Sequence, residues 1–451
     1  SGKISLDAGT GELLLGDKAK LDVSSHRKDF YDVTRYSPAG DISLQAQGDI
    51  KVTDKAQLNL AGLGDSQAGQ LSIQGQGKIE LLALANAKAK NSSQSGRFSL
   101  TSASAIDLNN LVDWLNDSGF QQSVNISSKQ GNLLLAANKT LNAHQIQLQA
   151  QGGTGQQDTQ HGNVIIDGTL NAANGQVAKI SLEGRSSVQI NGQLLANNAQ
   201  QAGEINLMTS GQSNGQVDAN YGYRLVNAND SGKIVLAKNA VLNVASASQQ
   251  QGKINLRLPL LANQSLNLVN QGASINSQAF VSIQPIASWY TTDSSAGNQH
   301  FDGIIDPAGI YGADGKKLTN TINSSHQQFY GQTLAQFIQQ VNVDVSGWGN
   351  TANTELRKVI DLVNPSLAIN EGNITVLSHW NLAAQENNQW LYRSDKGIAP
   401  ILQLTAEKDI QLKASLSDGF QLANKVTVEQ SAVVDPDAEP STNPNSVDLD
   451  K

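Results

Sequence analysis

Cysteine is absent from this 451-residue chain, and methionine occurs once, at Met208. The first absence excludes disulfide staples, thiol catalysis and Cys-ligated metal centres. Aromatic residues make up 5% of the chain and hydrophobic residues 39%, too little for a thick globular core but enough for thin layers of Ile, Leu, Val and Ala. Charged residues reach only 16% with a net charge of −8 and no basic patch, which argues against a nucleic-acid partner. No run of about 18 apolar residues occurs, so no membrane-spanning helix is expected. No signal-peptide pattern opens the chain. Ser1 leads almost directly into a repeated phrase, which reads as a processed or internal piece of a longer protein.

Gly, Asn, Gln, Ser and Ala are abundant, and one phrase recurs: Gly, a polar residue, then apolar residues at the first and third of three positions. It stands at Gly2-Lys-Ile-Ser-Leu6, Gly40-Asp-Ile-Ser-Leu44, Gly69-Gln-Leu-Ser-Ile73, Gly96-Arg-Phe-Ser-Leu100 and Gly131-Asn-Leu-Leu-Leu135. It returns at Gly162, Gly203, Gly232 and Gly252, and once more at Gly372, after a gap. Before that gap the intervals run from 20 to 41 residues, the spacing of one structural unit stacked many times. Further alternating segments lie between the phrases, such as Asp49-Ile-Lys-Val-Thr53 and Ala240-Val-Leu-Asn-Val244, punctuated by Asp167-Gly168, Asn174-Gly175 and Asn191-Gly192 turns. Antiparallel hairpins would call for tight turns and regular 8–12-residue spacing. The longer, unequal intervals favour an all-β parallel β-helix, a solenoid of about a dozen coils and about 60 Å. Asn and Ser at equivalent turns are expected to form ladders along it.

Three places break the pattern and divide the chain. Within the repeats of 1–284, Leu108, Leu111, Val112 and Leu115 have helical spacing, predicting a short helix over about 106–119, closed by Gly119. Residues 285–371 read as a small α-containing insertion. It holds Trp289, Tyr290, Phe301, Tyr311, Phe329, Tyr330, Phe337 and Trp348. Two helices are expected there, one carrying Leu334, Phe337, Ile338 and Val341, the other Leu356, Val359, Ile360 and Val363 before Asn364-Pro365. Residues 372–428 resume the repeats, and 429–451 are an acidic, Pro-containing tail or linker.

The segment after the insertion carries Gly372-Asn-Ile-Thr-Val-Leu-Ser-His-Trp-Asn-Leu382, then Pro400-Ile-Leu-Gln-Leu-Thr-Ala-Glu-Lys-Asp-Ile410, and Ser415-Leu-Ser-Asp-Gly-Phe420. It resembles the distal region of filamentous-haemagglutinin-like large exoproteins of Gram-negative bacteria over about 50 residues. The final hexapeptide is the most specific element. Lys408 and Thr405 depart from the family pattern, where Gly and Arg are usual. The resemblance implies a right-handed β-helix, export across the outer membrane through a partner transporter (two-partner secretion), and roles in adhesion, aggregation or biofilm formation.

Candidate chemistry is sparse. The six histidines, His26, His144, His161, His300, His326 and His379, share no ligand spacing. Gly152-Gly-Thr-Gly-Gln-Gln-Asp158 resembles a calcium-binding nonapeptide only once and with an extra residue, so it reads as a loop. Asp302, Asp306 and Asp314 sit among aromatics and are candidates for the converging carboxylates of a polysaccharide-cleaving β-helix enzyme, but match no motif. Asp418-Gly419 reads as a turn, and Trp380 and Trp390 as caps where the insertion docks.

The expected protein is therefore a non-enzymatic adhesin stalk, secreted or surface-exposed, without catalytic residues, metal or cofactor. Its expected partners are a host or bacterial surface glycan or protein. The candidate recognition surface is Trp289, Tyr290, Phe301, Tyr311, Phe329, Tyr330 and Trp348. Alternatives are a subunit of an extracellular fibre or biofilm matrix formed by end-to-end self-association, and a polysaccharide-degrading enzyme.

Overall fold

The computed structural model describes residues 2–419 except 154–160, 174–176, 199–200, 228–230, 247–249, 277, 294–299, 313, 320, 344, 346–352 and 387. The Asn174-Gly175 turn, most of the Gly152–Asp158 loop, Trp348, Phe420 and the tail from 429 lie outside the described residues.

Period-2 alternation puts apolar side chains on one face of each strand, and the fold is all-β around one long parallel sheet. Its unbroken path is Lys3–Asp7, Asp41–Ala46, Gln70–Gly75, Arg97–Ser102, Ser123–Ser128, Gln145–Ala150, Lys179–Gly184, Glu204–Met208, Lys253–Pro259, Phe280–Tyr290, Val359–Asn364 and Ile401–Ala406. Thr354–Leu356 lies alongside Phe280–Tyr290. Register is residue for residue. Ile42, Leu71, Phe98, Val124, Ile146, Ile180, Ile205 and Ile254 form one inward row, and Leu44, Ile73, Leu100, Ile126, Leu148, Leu182, Leu207 and Leu256 another. None of these is more than 3% exposed, and each buried side chain contributes about 1.5–3 kcal/mol. A one-residue slip would turn both rows to solvent, which fixes the register. The outward row is small and polar, with Asn255 Nδ2 donating to Asn206 Oδ1 (2.7 Å) and Asn206 Nδ2 to Ser181 Oγ (3.1 Å).

Shorter strands form four parallel sheets that follow one another along the chain as two series, called the second and third sheets although each is two separate stretches. Ile304–Ile305, Ile374–Val376 and Ile410–Leu412 form one more three-stranded parallel sheet. The second sheet holds Leu13–Leu15, Ile50–Val52 and Ile79–Leu81, then Leu133–Leu135, Asn163–Ile166, Ser187–Ile190, Lys233–Leu236 and Leu268–Asn270. The third holds Lys20–Asp22, Gln57–Asn59 and Ala85–Asn86, then Thr140–Asn142, Thr169–Asn171, Gln193–Leu195, Val241–Asn243 and Ser274–Ile275. The chain visits the three sheets in turn, layer after layer. An amide ladder runs along the third: Asn59 donates to Asp22, Asn86 to Asn59, and Asn171 to Asn142 at 2.9–3.3 Å.

In one layer the helix Leu108–Ser118 takes the place of the second and third strands. Asp107 caps it through the Asn109 and Asn110 amides, and Gly119 closes it at φ +85°. Its side chains rejoin the ladders on both sides. Trp114 Nε1 donates to Ala83 O (2.8 Å) and Asn116 Nδ2 to Thr140 O (2.6 Å), while Ser118 Oγ accepts from Ala85 N (3.1 Å).

The recurring phrase is not one unit. Gly2, Gly40, Gly69, Gly96, Gly203 and Gly252 open strands of the long sheet, whereas Gly131, Gly162 and Gly232 open strands of the second and Gly372 precedes Ile374–Val376. The glycine serves two ends. At Gly69 a Cβ would lie 2.0 Å from Gly40 O, whereas Gly131 has φ +75°, a left-handed conformation.

The second helix expected in the insertion is instead strand. Leu356 ends Thr354–Leu356, and Val359–Asn364 is buried along its whole length. A strand covered on both faces loses its alternation, and the helical spacing there is a coincidence. Position 285 likewise falls inside the strand Phe280–Tyr290 rather than at an element boundary. The first helix is present as Ser324–Gln328, Phe329–Leu334 (a π-turn) and Ala335–Gln340.

Candidate functional site

The seven aromatic residues expected to form a recognition surface are mostly interior. Trp289, Phe301, Phe329 and Tyr330 are at most 2% exposed and pack with Phe337, Trp380 and Tyr223. Trp289 stands opposite Leu362 in the long sheet, and its Nε1 donates to Tyr221 O (2.8 Å). Its ring meets Phe337 edge-on, centroids 5.3 Å apart. Tyr290 is half-buried beneath Arg224, whose guanidinium carbon lies 3.4 Å from the ring centroid and whose nitrogens pair with Asp293 at 2.6 and 2.9 Å. Tyr311 is also half-buried, and Trp348 lies outside the described residues. The expectation is corrected for the four buried rings: they continue the sheet's interior and offer no face to a partner. A local concentration of rings in an aromatic-poor chain marks a second core as readily as a surface.

Of the three candidate carboxylates, two flank one histidine. His326 Nε2 lies 2.7 Å from Asp302 Oδ2 and its Nδ1 3.3 Å from Asp306 Oδ2. Asp306 is fully buried, accepts from Tyr311 N (2.7 Å), and finds no partner for Oδ1 among the described residues. Burial opposes a charge on His326, but the hydrogen bonds and charges of Asp302 and Asp306 outweigh it and raise its pKa above 6.5. Both ring nitrogens are engaged by carboxylates, which fixes the orientation of the ring. The carboxylates sit on opposite sides of the ring and do not meet at one point. Asp314 is apart, in an exposed turn with Lys316. Among the described residues no group of three or more His, Asp or Glu is placed to hold a metal ion. The arrangement is an ionic staple between the segment 302–306 and the helix at Ser324–Gln328.

Lys358 is also buried. Its Nζ donates to Phe337 O (3.0 Å) and Ile338 O, carbonyls near the end of Ala335–Gln340, where the helix dipole favours a cation. Burial pushes its pKa down to about 8. It borders a cleft of about 470 Å³ with Phe280, Leu356 and Pro400.

Exposed rings stand elsewhere. The antiparallel hairpin Arg27–Phe30 and Val33–Tyr36 is exposed throughout, with Phe30 at 49%, Tyr36 at 38% and Tyr31 wholly in solvent at φ +53°. Lys28 and Arg35 lie directly opposite each other. This surface escaped the sequence reading, although three rings within seven residues of an aromatic-poor chain were its signal.

The elements that carry the family resemblance are neighbours in space: Trp380 pairs with Leu416 and Asn381 with Ser417. Trp380 is 1% exposed against Tyr330 and Tyr392, and Gly419 has the φ of +86° that an Asp-Gly turn uses. Comparison of the chain with family models, with curated proteins and with solved structures finds no match.

Proposed function

We propose that the chain is a right-handed parallel β-helix serving as the stalk of a secreted or surface-exposed adhesin, and that its work is mechanical and adhesive, not catalytic. The observation that carries this reading is the residue-for-residue register of the long sheet through twelve successive strands. Strands hydrogen-bonded on both edges along a single axis make a stiff body whose length grows with each layer. The right hand follows from the chirality of parallel β-crossovers. Adhesive contact is assigned to the hairpin Arg27–Tyr36, whose rings meet solvent, rather than to the buried rings of the insertion. Export through an outer-membrane partner rests on the resemblance of Gly372–Phe420.

Electron microscopy of the purified chain, combined with adhesion of chain-coated beads to bacterial and host cell surfaces, tests this. Isolated rods of fixed length, with adhesion lost when residues 29–34 are replaced by Asn-Gly, are expected. Filaments that lengthen with concentration would replace the stalk by a fibre subunit. Absence of adhesion would remove the adhesin, and release of oligosaccharides from a polysaccharide would make it an enzyme.

A further inference from the structure

The helix Leu108–Ser118 leaves the second sheet with a missing strand. The long sheet passes through this layer as Arg97–Ser102, paired to Gln70–Gly75 on one side and Ser123–Ser128 on the other. The second sheet instead stops at Ile79–Leu81 and resumes at Leu133–Leu135. The helix replaces lost hydrogen bonds mainly toward the third sheet, at Ala83 O, Ala85 N and Thr140 O.

Successive residues of a parallel strand turn their N–H and C=O groups to opposite sides. Lys78 and Leu82 turn theirs to the neighbouring strand, with Ile50 N donating to Lys78 O and Leu82 N to Val52 O at 2.9 Å. Ile79 and Leu81 therefore turn theirs the other way, where no strand pairs with them among the described residues. Their side chains report the same gap. Ile50 and Val52, at the same register, are fully buried, whereas Ile79 and Leu81 are only half-buried. A cleft of about 590 Å³ opens at this place, lined by Ile79, Leu81, Leu100, Ile106, Leu111 and Trp114 among others.

We propose that this cleft is a docking site for an extended peptide segment of a partner protein, which adds as a parallel strand to the Ile79–Leu81 edge. Continuity of the sheet names the occupant. Flanking layers fill the equivalent position with an apolar-x-apolar strand, Leu13 and Leu15, Ile50 and Val52, Leu133 and Leu135, Val164 and Ile166. A segment of that pattern places two apolar side chains toward Leu100, Leu111 and Trp114. Its intervening residue faces solvent, with that residue's amide directed at the Ile79–Leu81 edge. A helical or globular surface cannot reproduce this ladder.

The test uses the intact chain and a labelled peptide, Gly-Lys-Ile-Asn-Leu-Arg-Leu, which is the sequence of Gly252–Leu258. Binding is read by fluorescence anisotropy, and protection of residues 78–82 by hydrogen exchange. The expected result is saturable binding that protects this segment. N-methylation of the peptide's Asn and Arg amides, which face the edge, should weaken binding by about tenfold or more. Changing the peptide instead of the protein keeps misfolding out of the comparison. Equal binding of the N-methylated peptide would reduce the effect to apolar adsorption and overturn the proposal. So would absence of binding up to about 1 mM. Peptide-free association of the chain that protects residues 78–82 would make the occupant a second copy, and would equally overturn it.

Discussion

Replacing Gly69 by Ala and Gly131 by Asn asks whether one sequence phrase plays two structural parts. At Gly69 the added Cβ would lie 2.0 Å from Gly40 O and 3.1 Å from its carbonyl carbon. Those atoms cannot withdraw freely. Gly40 O accepts from Gln70 N at 3.3 Å, and Gly69 N donates to Leu60 O at 2.8 Å, so relief of the clash pulls the long sheet from the third. The loss is expected at about 3 kcal/mol or more, the upper range of overpacking with backbone displacement. At Gly131 the nearest atom to a Cβ is the methyl of Ala105 at 3.2 Å, an exposed residue that can give way. There the cost is the left-handed φ, which Asn tolerates best among larger residues, and about 1 kcal/mol is expected. Urea unfolding followed by circular dichroism measures both, provided the m-values agree. A Gly69→Ala loss no larger than that of Gly131→Asn would refute the two-role account.

Three further outcomes follow from the same geometry. Because the folded pKa of His326 is raised, its stabilisation is complete below the unfolded value of 6.5 and is lost as pH climbs through the higher folded value. Stability of the aromatic core, followed by tryptophan fluorescence, should therefore fall as pH climbs from 6.5 to the folded value and level off above it, and His326→Gln should flatten the trend; parallel profiles would disprove the staple. Asn116→Ala removes a bond to Thr140 O and an acceptor for Asn142 N, at 2.6 and 3.2 Å, and should destabilise by about 1–2 kcal/mol in urea. A neutral effect would mean the helix does not stand in for a strand. Phe337→Ala empties the centre of the second core and should cost about 3–5 kcal/mol, with limited proteolysis cutting first after about residue 285 and sparing the earlier layers. Cleavage spread evenly along the chain would argue against a separate core.

The sequence by itself determined the all-β class, the alternation and the helix at Leu108–Ser118, because these depend on local periodicity and on Asp107 and Gly119 at its ends. It also marked where the repeats pause, through the concentration of rings after Pro285. It did not separate the long sheet from the second. Gly69 and Gly131 open the same phrase, and only neighbouring layers decide whether a glycine there makes room for a carbonyl or adopts a positive φ. Nor did it distinguish the strand Val359–Asn364 from a helix, since burial on both faces erases the period that separates them. Asp302 and Asp306 were legible, with Asp314, as candidate carboxylates, but their meeting with His326 spans twenty-four and twenty residues and exists only once the insertion packs. The same holds for exposure: composition counts Tyr31 and Tyr330 alike, and tertiary packing alone leaves one in solvent and closes the other inside, because burial depends on which neighbours cover a side chain.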